Sequence, residues 1–501
     1  MTGKVYLLGA GPGDPMLLTL RAQQCLKIAD VVLHDRLIDD RILSLTSSIC
    51  EIIDVGKSRG VINSTQATIN SRLIELAKSG KQVIRLKGGD PLIFGRGSEE
   101  AIALHSAGIP FEIVPGISSI TGVPAYAGIP LTHRGISSGF TVINGSPGVS
   151  NAQLNWANLA KLDHTLVIVM GWQDLEQSIE SLLTHGVPST TPIALVQWGT
   201  FPHQKTVTGT LGTISHQARK ADLGPPIITI VGEVVSLKDQ LHWNDNLPLS
   251  NKRILITRDK LESRILSQIL LERGAIPIEL PTIEFAPPES YRDFDQILEQ
   301  VQMYDWIVFT SVHGVQGFFD RMRSQGKDAR SLHGIQICCI GTATASKVIE
   351  YGLIPDFVPE KYSSQDILDA FSHFGISGNH VLLPRSDLAA PSLPRGLETL
   401  GATVTELVTY RNLIPEESSE RITSAFEEAV DIVIFASSSS VINLMKLLDG
   451  NTEVLSTARV ACIGPVTAKT AQDHGLNVDL VPEERTLQGI IASIENFINY
   501  E

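Results

Sequence analysis

Cysteine is scarce in this chain, with five among 501 residues, and no pair is spaced as CxxC. Cys338 and Cys339 are neighbours within an apolar run. A disulfide framework and a structural zinc site are therefore not expected, and no HExxH sequence offers a catalytic metal. Positive charge is in deficit: 40 lysines and arginines face 54 aspartates and glutamates, a formal charge of −14. That balance weighs against a sequence-independent nucleic-acid binder. Also missing is any uncharged apolar run near the ~18 residues of a membrane helix. The opening MTGKVYLLGA reads as a buried strand and lacks the layout of a signal peptide. A cytoplasmic protein with no metal, nucleic-acid or membrane partner is expected.

What is present is a globular composition, 43% hydrophobic and 19% charged, which excludes wholesale disorder. At roughly 100–200 residues per domain the chain makes two to four folded units. Short β-rich runs (residues 5–8, 31–33, 83–86, 165–170, 227–231, 254–257 and 306–309) alternate with amphipathic helical stretches. This alternation predicts an α/β protein with parallel or mixed sheets. The best break is DQLHWNDNLPLSNK at 239–252, a polar stretch between two apolar strands. The expected division is a domain over 1–240, a linker over 241–251 and a second domain over 252–501.

The second half repeats itself. WIVFTSVHGVQGFF from Trp306 resembles DIVIFASSSSVINLM from Asp431, and ICCIGTATASKVIEYGLIPDFVPE from Ile337 resembles VACIGPVTAKTAQDHGLNVDLVPE from Val460. A further pair starts at Ile254 and Val381. The spacing is about 125 residues, one domain's worth. The order of the blocks favours one lobe joining 252–287 to 412–501, with a second lobe, 288–411, inserted. Two crossings between lobes would form a two-strand hinge over a cleft, a common place for ligands.

In the first half, Gly9-Ala10-Gly11-Pro12-Gly13-Asp14-Pro15 follows a strand and precedes a helix. Glycines there let backbone approach a ligand, and a following helix N-terminus favours anions. A dinucleotide loop fails because GxGxxG requires glycine where Asp14 stands, and Pro12 and Pro15 fit that turn poorly. Gly56-Lys57-Ser58 fails as a phosphate loop because Glu51 occupies the position of its first glycine. Gly88-Gly89-Asp90-Pro91 with Gly95-Arg96-Gly97 is too concentrated for a simple turn. It reads as a loop wrapping a small molecule, with a carboxylate able to accept from a ribose or an amino group.

These segments, with VPGISSITGVPAYAGIPLTHRG, VIVMGW and QWGT, resemble the tetrapyrrole methyltransferase superfamily from Val5 to about Val235, above all its uroporphyrinogen-III C-methyltransferase branch. The resemblance implies a two-subdomain α/β fold with S-adenosylmethionine as methyl donor in its cleft, and a homodimer. The matching cofactor positions are Pro12, Gly88, Gly89, Asp90, Ile93, Ser118, Ser119, Met170 and Gly199. It further implies Asp35 as the base that removes the ring proton and Lys57 as the acid or electrostatic partner. For a carboxylate-rich tetrapyrrole the motifs place Arg36, Arg96 and Arg134 as substrate cations, with Lys57, Arg59, Lys87 and His133 nearby in sequence. Two departures stand out: His34 where the family usually has tyrosine, and Asn144-Gly145-Ser146 where it commonly shows Thr-Gly-His.

The second half carries no Ser-His-Asp triad or metal cluster, and His313, His333 and His474 read as structural. Hydroxyls recur at strand ends: Thr310-Ser311, Ser437–Ser440, Thr342, Thr344 and Thr467. With helix N-termini they would bind a polyanion through neutral donors. ILITR, FTSVHGV, CCIGTATA, VPEKYSSQDIL, LVTYRN, FASSSSV and CIGPVTAKTA resemble the uroporphyrinogen-III synthase family over about 252–495. That family's two-lobed fold with a two-strand hinge agrees with the repeat. The resemblance makes Tyr410 the group that protonates or hydrogen-bonds the leaving hydroxyl, with Ser311 and Thr467 lining the cleft.

The two resemblances fit one another, since the synthase's product is the methyltransferase's substrate. The expected function is closure of hydroxymethylbilane to uroporphyrinogen III followed by methylation at C2 and C7 to precorrin-2, for sirohaem or cobalamin. The alternatives are a non-catalytic C-terminal binding module, a methyltransferase for another precorrin, and a dinucleotide-dependent oxidoreductase.

Overall fold

A computed structural model describes residues 2–56, 65–146, 154–359 and 364–500. The chain divides into two units, one of residues 1–251 with 273–276, the other of 252–272 with 277–501.

The first unit opens with five parallel strands: β1 (Lys4–Gly9), β2 (Val31–His34), β3 (Glu51–Asp54), β4 (Gln82–Lys87) and β5 (Phe111–Val114), ordered β3-β2-β4-β1-β5. Central strands β1 and β4 are buried along almost their whole length, as a sheet covered on both faces requires. Val5, Leu7, Val31 and Val83 pack under the helices Gln66–Lys78 and Gly97–Ser106. On the other face Leu8, Val32, Ile84 and Leu86 pack under helix Leu20–Lys27. The loops after β1, β2 and β4 therefore gather at one carboxyl edge, the usual ligand edge of an open α/β sheet.

A second, mixed sheet follows: β6 (Phe140–Asn144), β7 (Thr165–Val169), β8 (Pro192–Gln197), β9 (Lys205–Thr210) and β10 (Ile227–Val231), ordered β6-β7-β10-β8-β9. Only β6 and β7 run parallel within it. Residues 241–251, expected as a linker, instead cluster with this unit. The Trp243 indole donates to the Ala125 carbonyl at 3.0 Å and meets the Tyr126 ring edge-on. Leu249 is fully buried. The indole thus anchors a segment whose Asn/Pro composition suggested a tether.

The second unit has two sheets. One is β12 (Ile276–Glu279), β11 (Arg253–Ile256), β18 (Ile432–Phe435) and β19 (Arg459–Cys462). The other is β13 (Glu284–Ala286), β17 (Thr403–Leu413), β16 (His380–Ser386), β14 (Trp306–Phe309) and β15 (Gln336–Cys339). Ile254 pairs with Ile432, so distant segments share one sheet while the chain between them builds the other.

The repeat is visible in hydrogen bonds. The Asp305 carboxylate accepts from the His380 N–H and that of Asp431 from Arg253, both at 2.7 Å. Asp356 and Asp479 accept from Ile337 and Val460, also at 2.7 Å. Between the lobes run β13 and the end of β17, antiparallel, with Phe285 opposite Asn412. Residues 284–286 and 412–413, assigned from sequence to the first lobe, therefore hydrogen-bond to the sheet of the second. A three-residue strand is too short to show a period of two, which is why the pattern missed it.

Candidate active sites

At the carboxyl edge of the first sheet three glycines close on one another. A Cβ on Gly116 would lie 2.3 Å from the Gly89 carbonyl oxygen, and one on Gly9 2.6 Å from the same atom. Gly11 and Gly89 exchange backbone hydrogen bonds at 3.2 and 2.7 Å. Gly89 has φ +65°, a region glycine enters without steric cost. Gly88 is exposed, and a Cβ there would meet no atom within 4 Å. Asp90 holds the loop shut, with Oδ1 accepting from Leu92 at 2.8 Å and Oδ2 from Gly116 at 3.1 Å.

Helix Ser119–Tyr126 begins beside this loop, capped by Ser118, and the Ser119 nitrogen lies 3.4 Å from a Cβ built on Gly89. The Pro12 ring packs on Gly122 of that helix, and a Cβ on Gly199 would strike Val123 at 2.3 Å. Pro12, Gly89, Ser118, Ser119 and Gly199 are thus linked through one helix, with Gly88 and Asp90 flanking Gly89 in sequence. Ile93 follows Asp90 and is 43% exposed. Met170 directly follows β7 at φ +56°, and Phe94, Arg96, Trp198 and Thr200, in the loops after β4 and β8, also have positive φ. Strained non-glycine backbone concentrates at the strand ends here, a pattern common where a loop is shaped for binding.

Beside the glycines stands Asp35, about one-third exposed, held by the buried Arg85 guanidinium, whose Nη2 donates to Oδ1. Arg85 also donates through Nε to Glu100 Oε1 at 3.0 Å, and Lys87 Nζ reaches the same oxygen at 3.1 Å. Lys87 Nζ is 3.9 Å from Asp35 Oδ2. Burial, with Arg85 beside it, holds the Lys87 ammonium below the ordinary lysine range, and Asp35 and Glu100 oppose that shift. Glu100 is fully buried, and its Oε2 has no partner among the described residues. Breaking a buried ion pair costs about 3–5 kcal/mol, so these charges stand or fall together.

Arg85 and Glu100 were not recognised from sequence. The available signal was two cations at i and i+2 on β4, hence on one face of a buried strand. Lys87, read as near a substrate carboxylate, is instead sealed beneath Asp35. Arg96 forms a bidentate pair with Glu99 at 2.8 and 2.7 Å, so it would have to exchange partners to serve a substrate. Arg36, His133 and Arg134 are exposed. Lys57 and Arg59 lie outside the described residues. His34 Nδ1 contacts the Asp35 carbonyl at 3.0 Å. At the other departure, Asn144 caps its own turn by accepting from Ser146 at 2.9 Å, and Gly145 abuts Gly171.

In the second unit, the Tyr410 hydroxyl lies 3.1 Å from Ser311 Oγ. Burial pushes the phenol upward, opposed by hydrogen bonds to Ser311 and Ser386. Phe285 of β13 stacks on His313 with centroids 3.7 Å apart and meets Tyr410 edge-on at 5.5 Å. His313, read as structural, therefore belongs to the same aromatic cluster as Tyr410. Ser311 caps helix Val312–Ser324. Thr467 is 5% exposed in the first turn of helix Pro465–Asp473, so it presents little surface; Thr470, one turn on, donates to Ser438 at 2.8 Å. Among the described residues no cluster of three His, Cys, Asp or Glu could hold a metal, and no helix is long and apolar enough to cross a membrane.

Comparison with known proteins divides the chain the same way. The family described as tetrapyrrole (corrin/porphyrin) methylases matches residues 4–215, and that described as uroporphyrinogen-III synthase HemD matches 265–492. A porphyrin biosynthesis protein HemD from Ruminiclostridium josui is 35% identical over 495 residues, 98% of this chain and 97% of that protein. A uroporphyrinogen-III C-methyltransferase from Bacillus subtilis is 38% identical over 335 residues, 66% of this chain and 68% of that protein. A siroheme synthase from Hahella chejuensis is 47% identical over 244 residues, 49% of this chain and 52% of that protein. The chain thus spans about half the length of that siroheme synthase.

Proposed function

The chain belongs to the tetrapyrrole methylases through its first half and to the uroporphyrinogen-III synthases through its second, and on that premise we propose that it performs both reactions in sequence. The second unit closes hydroxymethylbilane to uroporphyrinogen III with inversion of the last ring. The first unit then methylates that product at C2 and C7 to precorrin-2, a precursor of sirohaem or cobalamin.

The observation carrying the methyltransferase reading is the pairing of Gly88, open to space, with Asp35, a carboxylate held by Arg85 at the same sheet edge. What supports S-adenosylmethionine at that edge is the Gly88 backbone, open to solvent with no atom within 4 Å of a Cβ there, and the helix that Ser118 and Ser119 open beside Gly89. When bound, the donor supplies a methyl group on a sulfonium. The methylated carbon keeps its carboxyalkyl arm and carries no proton. Asp35 therefore takes the proton that the ring system gives up from a neighbouring position to regain neutrality, and positioning by the glycine loop supplies much of the rate. Lys57 is the proposed acid or electrostatic partner. Arg36 and Arg134 meet substrate carboxylates, and Arg96 joins them once it leaves Glu99. No resident metal takes part, and the protein works as a cytoplasmic homodimer joined through its methyltransferase half.

In the synthase unit the Tyr410 hydroxyl protonates the leaving hydroxyl, which departs as water. The resulting cation is reactive in itself, so the lobes serve mainly to hold the chain in the conformation that inverts the ring. The test supplies freshly made hydroxymethylbilane with and without S-adenosylmethionine and separates oxidised products by isomer and methyl count. Type III material that becomes dimethylated when the donor is added is expected. Type I isomer alone would leave the second unit without synthase activity, and unmethylated type III would leave the first without methyltransferase activity.

A further inference from the structure

The charges beneath Asp35 have a specific arrangement. Arg85 and Lys87 project from the same face of β4 and are each 2% exposed, while Glu100 is completely buried. Glu100 Oε1 accepts three hydrogen bonds, from Arg85 Nε at 3.0 Å, Lys87 Nζ at 3.1 Å and Gln66 Nε2 at 3.1 Å. Among the described residues, Asp35 faces this group from the end of β2, Arg85 and Lys87 from β4, and the neutral Gln66 from helix Gln66–Lys78. Glu99, on Glu100's own helix, turns outward to Arg96. Two cations thus balance two carboxylates, and only Asp35 reaches solvent. Apolar residues of similar volume would often serve stability equally well, so packing alone does not account for this set of charges.

We propose that Glu100 is a positioning residue for methyl transfer: by neutralising one of the two buried cations and fixing the Arg85 fork, it sets where the Asp35 carboxylate points and the pH range over which the site accepts a proton. The inference rests on Asp35 being the base. Removing a buried negative charge disfavours the protonated form of the groups it faces.

In the full-length enzyme, with uroporphyrinogen III and S-adenosylmethionine supplied, Glu100→Gln is expected to move the pH profile of kcat toward acid by about one pH unit. The plateau falls roughly 3- to 10-fold, while KM for the methyl donor stays within about two-fold. The double variant Lys87→Met/Glu100→Gln removes one charge of each sign and brings the profile back toward its original position, which a purely structural role would not do. Asp35→Asn is measured alongside. If Asp35→Asn transfers methyl groups at the wild-type rate, the base assignment itself is wrong. If Asp35→Asn abolishes transfer while Glu100→Gln leaves the profile in place, the base stands and the role of Glu100 is overturned. Should Glu100→Gln not fold, Glu100→Asp decides, because it keeps the charge on a shorter arm. A lowered kcat with the profile unmoved supports positioning, and an unchanged kcat overturns it.

Discussion

Ser311 and Ser437 are the same residue of a duplicated lobe. Each caps the helix after a central strand, with φ −159° and ψ 155° at Ser311 and φ −158° and ψ 159° at Ser437. Each Oγ accepts from the N–H three residues on, Gly314 at 3.0 Å and Ser440 at 3.2 Å. Only Ser311 also meets Tyr410. Replacing either serine by alanine should cost about 1 kcal/mol of cap energy. Ser311→Ala alone should also reduce formation of the type III isomer. Urea midpoints and isomer ratios check this, and equal loss of cyclisation in both variants would contradict it.

Tyr410→Phe removes the hydroxyl and keeps the ring that meets Phe285. A fall of about 10²-fold or more in type III formation is expected if the phenol acts as an acid. Methylation of uroporphyrinogen III supplied directly should be unchanged. Burial raises the Tyr410 phenol above its ordinary value of 10, so it keeps its proton through the alkaline range below that value. Cyclisation should accordingly show no alkaline fall from this group under pH 10, and Tyr410→Phe should lower the whole profile without shifting it.

Two neighbouring glycines separate ligand binding from folding. Gly116→Ala would drive a methyl into the Gly89 backbone carbonyl at 2.3 Å, which cannot move aside as a flexible side chain could, and should lower the thermal midpoint. Gly88→Ala meets nothing within 4 Å and requires no unusual φ, so it should fold normally. Its methyl would stand where the methyl donor is proposed to lie, weakening S-adenosylhomocysteine binding by roughly tenfold, about 1.4 kcal/mol. Titration calorimetry paired with thermal melts measures both effects. Undiminished binding by Gly88→Ala would move the cofactor away from this loop.

The sequence made some of this plain and concealed the rest for physical reasons. Glycine density after β1 and β4 marks a close approach of backbones, because Gly9, Gly89 and Gly116 have no room for a side chain. The repeated blocks forecast matching ladders because Asp305 and Asp431, Asp356 and Asp479, each tie two equivalent strands. Charge patterning gave no direct sign of burial: Lys87 read as substrate-facing, whereas Glu100, one helix away, closes over it and Arg85. Composition misled at 241–251, where Trp243 and Leu249 outweigh the surrounding polar residues. The Phe285–His313 stack joins residues 28 positions apart and has no local pattern.

His313 provides a pH test of that stack. Burial against Phe285 lowers its pKa from the ordinary value of 6.5, with the charge of Asp259 raising it and that of Arg258 lowering it. Above the unfolded value both folded and unfolded states carry a neutral imidazole, so the stabilising contribution is fully present. As pH falls below 6.5 the unfolded chain binds a proton that the folded site resists, and stability declines until the folded pKa is passed. His313→Phe keeps an aromatic face on Phe285 and cannot titrate. On acidification from neutral pH to below 6.5, the wild type should lose more in thermal midpoint than the variant. Parallel melting curves would show that the ring is already solvated in the folded state, and the stack would then contribute nothing that depends on pH.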